Sequence, residues 1–364
     1  MQVRRWHAGI WTATVLAALL GLAAPLGAQT KPVTTAAVAP AAPLPLLWSA
    51  DATTINDYMK VQAKRLAAAA SGDEAVALRT EVLAVLLPSK TAPGTTPSAS
   101  FMQNFTNAAV TEFGPLFNSS SATTSLNAVI LLSETKHINT DAALLGALSH
   151  PNPAIRYWAA RGLYNILPGL RDLRQASERA VSGLTDAVKS EKSPLVQAEL
   201  VRALSNSADP KALQPVLTIM DKMAATLRTK TPSPSDLLAA TTVLQSAKDL
   251  LAATSLKKPD DLIAVQATAG LMYFAGTALT NQYGDRDEPG ALSARTQLIE
   301  LSTAGCALIN KIAAKEVVSI TASRGSKMSD VLDSIQKLTG GAVDKGTLNG
   351  LFPGFVAPSQ TPAK

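Results

Sequence analysis

The sequence has few of the side chains that build metal and redox sites: one cysteine and three histidines. A single cysteine, Cys306, excludes a disulfide within the chain. The residues next to Cys306 are small or apolar and none is cationic, which predicts a buried thiol rather than a reactive one. Neither His137 nor His150 belongs to a metal-binding spacing. We therefore expect no metal site and no disulfide.

The sequence also lacks the motifs of common hydrolases and nucleotide-binding enzymes. It has no Gly-x-Ser-x-Gly, no His-Glu-x-x-His and no phosphate-binding glycine loop. Ser-x-x-Lys occurs three times, but the Ser-Asp-Asn and Lys-Thr-Gly elements that accompany it in penicillin-binding enzymes do not. The triplets are Ser133/Lys136, Ser255/Lys258 and Ser334/Lys337. We expect no catalytic residue and no cofactor.

The densest acidic cluster, 285–288, does not match a calcium loop. Such a loop ends in a glutamate eleven positions after its first aspartate, and Thr296 stands there. Asp287 and Glu288 instead precede Pro289, where a helix is predicted to begin. Acidic side chains are favourable at a helix N-terminus. We therefore expect this cluster to cap that helix.

The first residues are typical of a secretory signal peptide. Arg4 and Arg5 precede an apolar run over 10–24, and small residues at 26–28 precede Gln29. The run is short for a membrane span, which needs about 20 apolar residues. We expect cleavage after residue 28, no membrane insertion of the mature chain, and a periplasmic or secreted location.

The charge of the mature chain gives no sign of a nucleic-acid partner. Removal of residues 1–28 takes away two arginines and no acid, which lowers the net charge from +6 to +4. The longest basic run is Lys257-Lys258. A nucleic-acid binder normally presents a dense basic face to the phosphates. Export and this weak charge both argue against nucleic acid.

The remainder divides into four parts by composition. Residues 29–48 are rich in Ala, Pro and Thr and are typical of a linker. Residues 49–228 form a helical domain, 229–352 a C-terminal helical region, and 353–364 a flexible tail. Residues 317–321 alone resemble a strand, and we interpret them as a helix end or loop. The fold class is therefore predicted to be all-α.

Several helix starts carry a capping side chain followed by proline. Proline is favoured at the first helical position, where its missing N–H would have no partner. Ser71 and Glu74 also form a capping-box pattern. The four pairs are Asn152-Pro153, Ser193-Pro194, Asp209-Pro210 and Ser233-Pro234.

Two of these starts repeat at a constant offset of 41 residues. The stretches 153–163 and 194–204 carry apolar residues at matching positions, and a predicted helix precedes each, over 141–149 and 176–190. The matching pairs are Ile155/Val196, Ala159/Leu200 and Leu163/Leu204. A two-helix unit at this period is typical of an α-solenoid.

Residues 144–156, Leu-Leu-Gly-Ala-Leu-Ser-His-Pro-Asn-Pro-Ala-Ile-Arg, resemble the HEAT-repeat family in their first helix, Pro-containing turn and the arginine that starts the second helix. The similarity is clearest over 141–206, although Gln197 stands where the second repeat would have that arginine. The resemblance implies helical hairpins stacked into an α-solenoid and a role in protein–protein recognition without a cofactor. The longer helices predicted at 211–228, 235–254, 260–281 and 289–315 are either degenerate repeats or a capping bundle.

One surface of the second repeat helix is a candidate for partner binding. Tyr and Arg are common in binding hot spots, and we expect the rings of Tyr157 and Tyr164 to be at least partly exposed. The candidate residues are Arg156, Tyr157, Arg161 and Tyr164. The alternative is that Trp158 packs between repeats and the two arginines make inter-repeat contacts.

The sequence thus predicts a non-catalytic scaffold for a protein partner of unknown identity. An enzyme whose site lies in a helical groove is one alternative, and a structural component of the envelope is the other. Carboxylates converging in one pocket would favour the enzyme.

Overall fold

The computed structural model describes residues 47–87, 96–253, 260–323, 325–341 and 344–360. The predicted signal peptide, most of the predicted linker and the last four residues lie outside these ranges. The described residues form fourteen α-helices and no strand, which confirms the all-α prediction. Residues 317–321 follow the end of α12 as irregular chain.

The helices are numbered here in chain order. They are α1 (Ala52–Ala68), α2 (Gly72–Ala84), α3 (Ala99–Phe113), α4 (Ala122–Thr135), α5 (Asp141–Ala147), α6 (Pro153–Leu170), α7 (Arg174–Ser190), α8 (Pro194–Ser207), α9 (Leu213–Thr229), α10 (Pro234–Ala253), α11 (Asp260–Tyr283), α12 (Pro289–Ile312), α13 (Met328–Thr339) and α14 (Gly346–Leu351). Helices α10, α11 and α12 have 20, 24 and 24 residues and are longer than those before them.

Local signals place several helix starts. Pro153, Pro194 and Pro234 are the first residues of α6, α8 and α10, as predicted. Asn152 Oδ1 accepts the N–H of Ala154 at 2.9 Å. The pair at 209–210 differs, because its proline opens a short 3₁₀ helix, Pro210–Ala212, that leads into α9.

The helices pack in two rows. The even-numbered helices from α2 to α12 lie side by side in chain order, each against the next even-numbered helix. Among the odd-numbered helices, α1 packs on α3, α5 on α7, α7 on α9, α9 on α11 and α11 on α13. Between α3 and α5, the 3₁₀ helix Ile138–Thr140 makes the contact with α3 instead. From α1 to α13, apart from α3 and α5, the helices therefore neighbour those two positions away in the chain.

The repeated apolar positions form the core between the rows. All six are fully buried: Ile155, Ala159, Leu163, Val196, Leu200 and Leu204. Small residues allow the helices to approach closely. At Gly162 of α6, a Cβ atom would lie 2.7 Å from Leu144 Cδ1 and 3.0 Å from Ser133 Cα. α5 and α4 thus meet α6 at this glycine.

Replacing Gly162 by alanine should lower the free energy of unfolding by about 1–3 kcal/mol, because α6 must move away from its neighbours to admit the methyl group. Gly146 in α5 is the matched control, since a Cβ atom there meets nothing within 4 Å. Alanine at Gly146 should stabilise the protein by about 0.5–1 kcal/mol through helix propensity. Urea denaturation of both variants measures the difference. Equal losses at both sites would contradict the close approach at Gly162.

Candidate functional site

The four candidate binding residues all lie on α6 but in different environments. Tyr157 is only 5% exposed, so the prediction that its ring is partly exposed is wrong. The cause is the even-numbered row, in which α4 and α8 pack on the two flanks of α6. Tyr164, Arg156 and Arg161 are half-buried.

The Arg156 guanidinium makes structural hydrogen bonds in a turn rather than presenting its charge to solvent. Its Nε and Nη2 donate to the two carboxylate oxygens of Glu191, at 2.7 and 2.9 Å. Its Nη1 donates to the carbonyl oxygens of His150 and Pro151, at 2.8 and 2.9 Å. The guanidinium therefore ties the turn before α6 to the turn before α8.

Gln197, where the second repeat departs from the HEAT pattern, keeps part of this arrangement. Its Nε2 donates to the carbonyl oxygen of Glu191 at 2.9 Å. Arg156 likewise donates to the carbonyl six residues before it, that of His150. A glutamine thus supplies the same turn-binding hydrogen bond without the charge.

Arg161 and Arg202, which are 41 residues apart, each lie over an aromatic ring. The Arg161 guanidinium carbon is 5.0 Å from the centre of the Trp158 ring, and that of Arg202 is 4.2 Å from the centre of the Tyr164 ring. Arg161 also approaches Glu134 of α4 at 3.9 Å. These contacts connect α4, α6 and α8 and restrict both guanidinium groups.

Two asparagines at the same offset connect the helices through their amides. Asn165 Nδ2 donates to the carbonyl oxygen of Ser133 at 3.4 Å, and Asn206 Nδ2 donates to that of Tyr164 at 2.7 Å. The matching positions 161/202 and 165/206 are visible in the sequence, and this signal could have identified Arg202, Asn165 and Asn206. We call the half-buried surface formed by Trp158, Arg161, Tyr164, Asn165, Arg202 and Asn206 the α6/α8 strip.

Glu199 of α8 lies buried beneath this strip. Burial raises its pKa, and the charges of Arg202 and Arg161 oppose that rise. Arg202 Nη1 is 3.4 Å from Glu199 Oε1. Burial, followed by the charge of Glu199, raises the pKa of Tyr157 to about 12, so its hydroxyl stays protonated at neutral pH.

The two buried glutamates do not form an acid–base pair. Burial acts to raise the pKa of Glu191, but hydrogen bonds from Arg156 and from the N–H groups of Ser193 and Lys192 outweigh it and lower the pKa. Glu191 lies in the turn before α8, and its two oxygens are held by Arg156. The pKa values of Glu191 and Glu199 therefore shift in opposite directions, at separate places.

Other residues considered from the sequence have structural contacts. Asp285 accepts from the N–H and hydroxyl of Ser329, both at 2.9 Å, and so caps α13. Asp287 pairs with Arg295 at 3.0 Å. Glu288 stands at the N-cap position of α12 as predicted, but its side chain accepts no capping hydrogen bond. Cys306 is buried as predicted, and burial raises its pKa to about 11. Within the described ranges, no three His, Cys, Asp or Glu side chains are grouped to hold a metal ion.

A half-open cleft of about 520 Å³ lies between the end of α3 and α5. Its walls carry small or uncharged residues, among them Gly114, Gly146 and Phe117, and His150 is their one titratable side chain.

α11 alone among the described helices has the length and apolarity of a membrane span. It packs against α9, α12 and α13, as a core helix does.

Comparisons with protein families, curated proteins and solved structures found no match.

Proposed function

We propose that the chain is an exported α-solenoid of HEAT-like hairpins that binds a partner protein. The observation that carries this proposal is the packing order, in which the helices from α1 to α13 neighbour those two positions away, with α3 and α5 joined through a 3₁₀ helix instead. Stacked hairpins produce this order, because each repeat contacts only the next. The 41-residue offset supports it, since equivalent core and surface positions recur on α6 and α8. Helices α9 to α12 follow the same order, which favours continuation of the solenoid over a separate bundle.

The α6/α8 strip is the surface that we propose for the partner. Tryptophan, tyrosine and arginine are the residue types most often found in binding hot spots. Stacking already restricts the side chains of Arg161 and Arg202, so binding would cost less conformational entropy. Arg156 and Tyr157, which the sequence predicted for this site, are not part of it. Arg156 is bound to Glu191 and the turn carbonyls, and Tyr157 is buried. Trp158, Asn165, Arg202 and Asn206 join it.

The enzyme alternative has less support in the geometry. Acid–base catalysis in a groove needs ionisable groups that converge on one substrate position. The buried carboxylates Glu191 and Glu199 are separate, and each is held by an arginine. A structural envelope component differs from a scaffold only in having no discrete partner, so a binding experiment separates the two.

Affinity capture of the mature protein from its own envelope extract tests the proposal. We expect one stoichiometric partner by mass spectrometry, and Arg161→Ala should weaken its binding at least about tenfold, as hot-spot truncations do. Arg174→Ala is the control, because Arg174 lies on α7 in the other row with 89% of its side chain exposed. Thermal unfolding confirms that both variants fold. A partner retained equally by both variants would refute the strip, and the absence of a stoichiometric partner would refute the scaffold.

A further inference from the structure

The two described histidines make the same unusual hydrogen bond. His137 Nδ1 accepts the N–H of Asn139 at 3.3 Å, and His150 Nδ1 accepts the N–H of Asn152 at 3.0 Å. In each case the imidazole bonds to the backbone two residues later, as an asparagine does in an Asx turn. The two rings stand on either side of α5, one in the turn before it and one in the turn after it.

This bond requires a neutral imidazole. A ring nitrogen that accepts a hydrogen bond carries no proton, so in both rings the proton is on Nε2. Once the ring is protonated, both nitrogens are donors and Nδ1–H faces a backbone N–H. Histidine is the side chain whose ordinary pKa, about 6.5, makes this change under mildly acidic conditions.

α5 depends strongly on its two turns. It has seven residues, too few to be stable in isolation, and no side chain caps its N-terminus. Thr140 Oγ1 donates to the carbonyl oxygen of His137 at 2.8 Å. Arg156 Nη1 donates to the carbonyl of His150 at the other end. Between the turns, the side chain of Leu144 packs on Gly162.

We propose that His137 and His150 act as an acid-sensitive clamp on α5. Protonation of both rings removes the acceptors at both ends of the helix, and the segment 137–152 then loosens from α6 while the even-numbered row stays folded. The loosened segment uncovers Leu144 and Leu148, which are buried when the clamp is closed. The result is an apolar surface that forms only in acid.

The surroundings of the His137 ring raise the acidity that the clamp needs. Burial lowers the pKa of His137, so its protonation requires a lower pH than that of a free imidazole. Against this turn, α3 presents the amide of Asn107 and α6 presents Gly169. The cleft walls next to His150 carry no charge. Charged side chains within or beside this segment form ion pairs, namely Glu134 with Lys136, Asp141 with Arg179, and Arg156 with Glu191.

Hydrogen exchange of the full mature protein at pH 7.5 and pH 5.0 tests the clamp. Rates are normalised to the intrinsic exchange rate at each pH. In the wild type, we expect exchange over 137–152 to accelerate about tenfold at pH 5.0, as the loss of two hydrogen bonds of ordinary strength implies. Exchange in α8 and α10 should change much less.

The matched variant is His137→Asn with His150→Asn. An asparagine side chain accepts the same N–H and does not titrate, and Asn152 already makes this bond to Ala154 at 2.9 Å. The double variant should stay protected at both pH values, and each single variant should show about a threefold change. Equal acceleration in the double variant would overturn the proposal. So would unchanged wild-type exchange, or acceleration spread evenly over α8 and α10.

Discussion

Replacing Leu163 or Leu204 by alanine should lower the free energy of unfolding by about 2–5 kcal/mol in each case. Both side chains are fully buried at equivalent positions of α6 and α8. Truncation removes buried methyl groups and leaves a cavity that closely packed helices fill only in part. Leu173, in the connection between α6 and α7, is 46% exposed and serves as the control. Leu173→Ala should cost less than about 0.5 kcal/mol. Urea denaturation measures all three variants.

The same variants test how far the damage spreads. In a solenoid, contacts are local, so Leu163→Ala should accelerate hydrogen exchange in α6 and in its neighbours α4 and α8. Helix α12 lies three positions further along the even-numbered row and should change little. If Leu204→Ala is silent, or if Leu163→Ala loosens α12 as much as α6, the rows form one cooperative bundle and the solenoid proposal fails.

The helix starts and the core between the two rows were predictable from the sequence because their signals are local. A residue of the capping type before proline marks a start within a few residues. Pro153, Pro194 and Pro234 all begin helices, although the Ser193 side chain makes no capping hydrogen bond. The apolar stripe through Leu163 and Leu204 needs only helical periodicity. The constant offset then relates positions on α6 to positions on α8. These features require no knowledge of which helix lies beside which.

The burial of Tyr157 and Glu199 could not be read from the same patterns. An apolar stripe at helical spacing indicates one buried face, but an inner helix of the even-numbered row is covered on three sides. α8 shows this, because every residue from 195 to 201 is buried. In the even-numbered row, Tyr157 is covered by residues about 41 positions away in the chain. Helical periodicity relates residues within a few turns and does not predict such a contact. The repeated polar pairs 161/202 and 165/206 were the available signal.

Replacing Arg156 by methionine should cost about 3–5 kcal/mol, the usual effect of removing one partner from a buried ion pair. The loss includes two hydrogen bonds to Glu191 and two to turn carbonyls. Arg174→Met is the control, because the Arg174–Glu178 pair on α7 is exposed, and pairs of that kind contribute about 0–1 kcal/mol. Urea denaturation at pH 7 compares the two. Equal effects would show that Arg156 acts as an ordinary surface residue.

The cost of Arg156→Met should also depend on pH, because much of it comes from leaving the Glu191 carboxylate buried without its cation. In the wild type the pKa of Glu191 is lowered, so its contribution to stability is complete above the unfolded-state pKa and is lost as the pH falls through the lowered value. In the variant, burial is opposed only by the N–H groups of Ser193 and Lys192, so the pKa of Glu191 rises. As the pH falls, the Glu191 carboxyl group of the variant becomes protonated, and the cost of burying a carboxylate without a cation beside it disappears. The stability difference between wild type and variant should therefore shrink from pH 7 to pH 4, and a difference that stays constant would mean that the loss comes from the turn carbonyls instead.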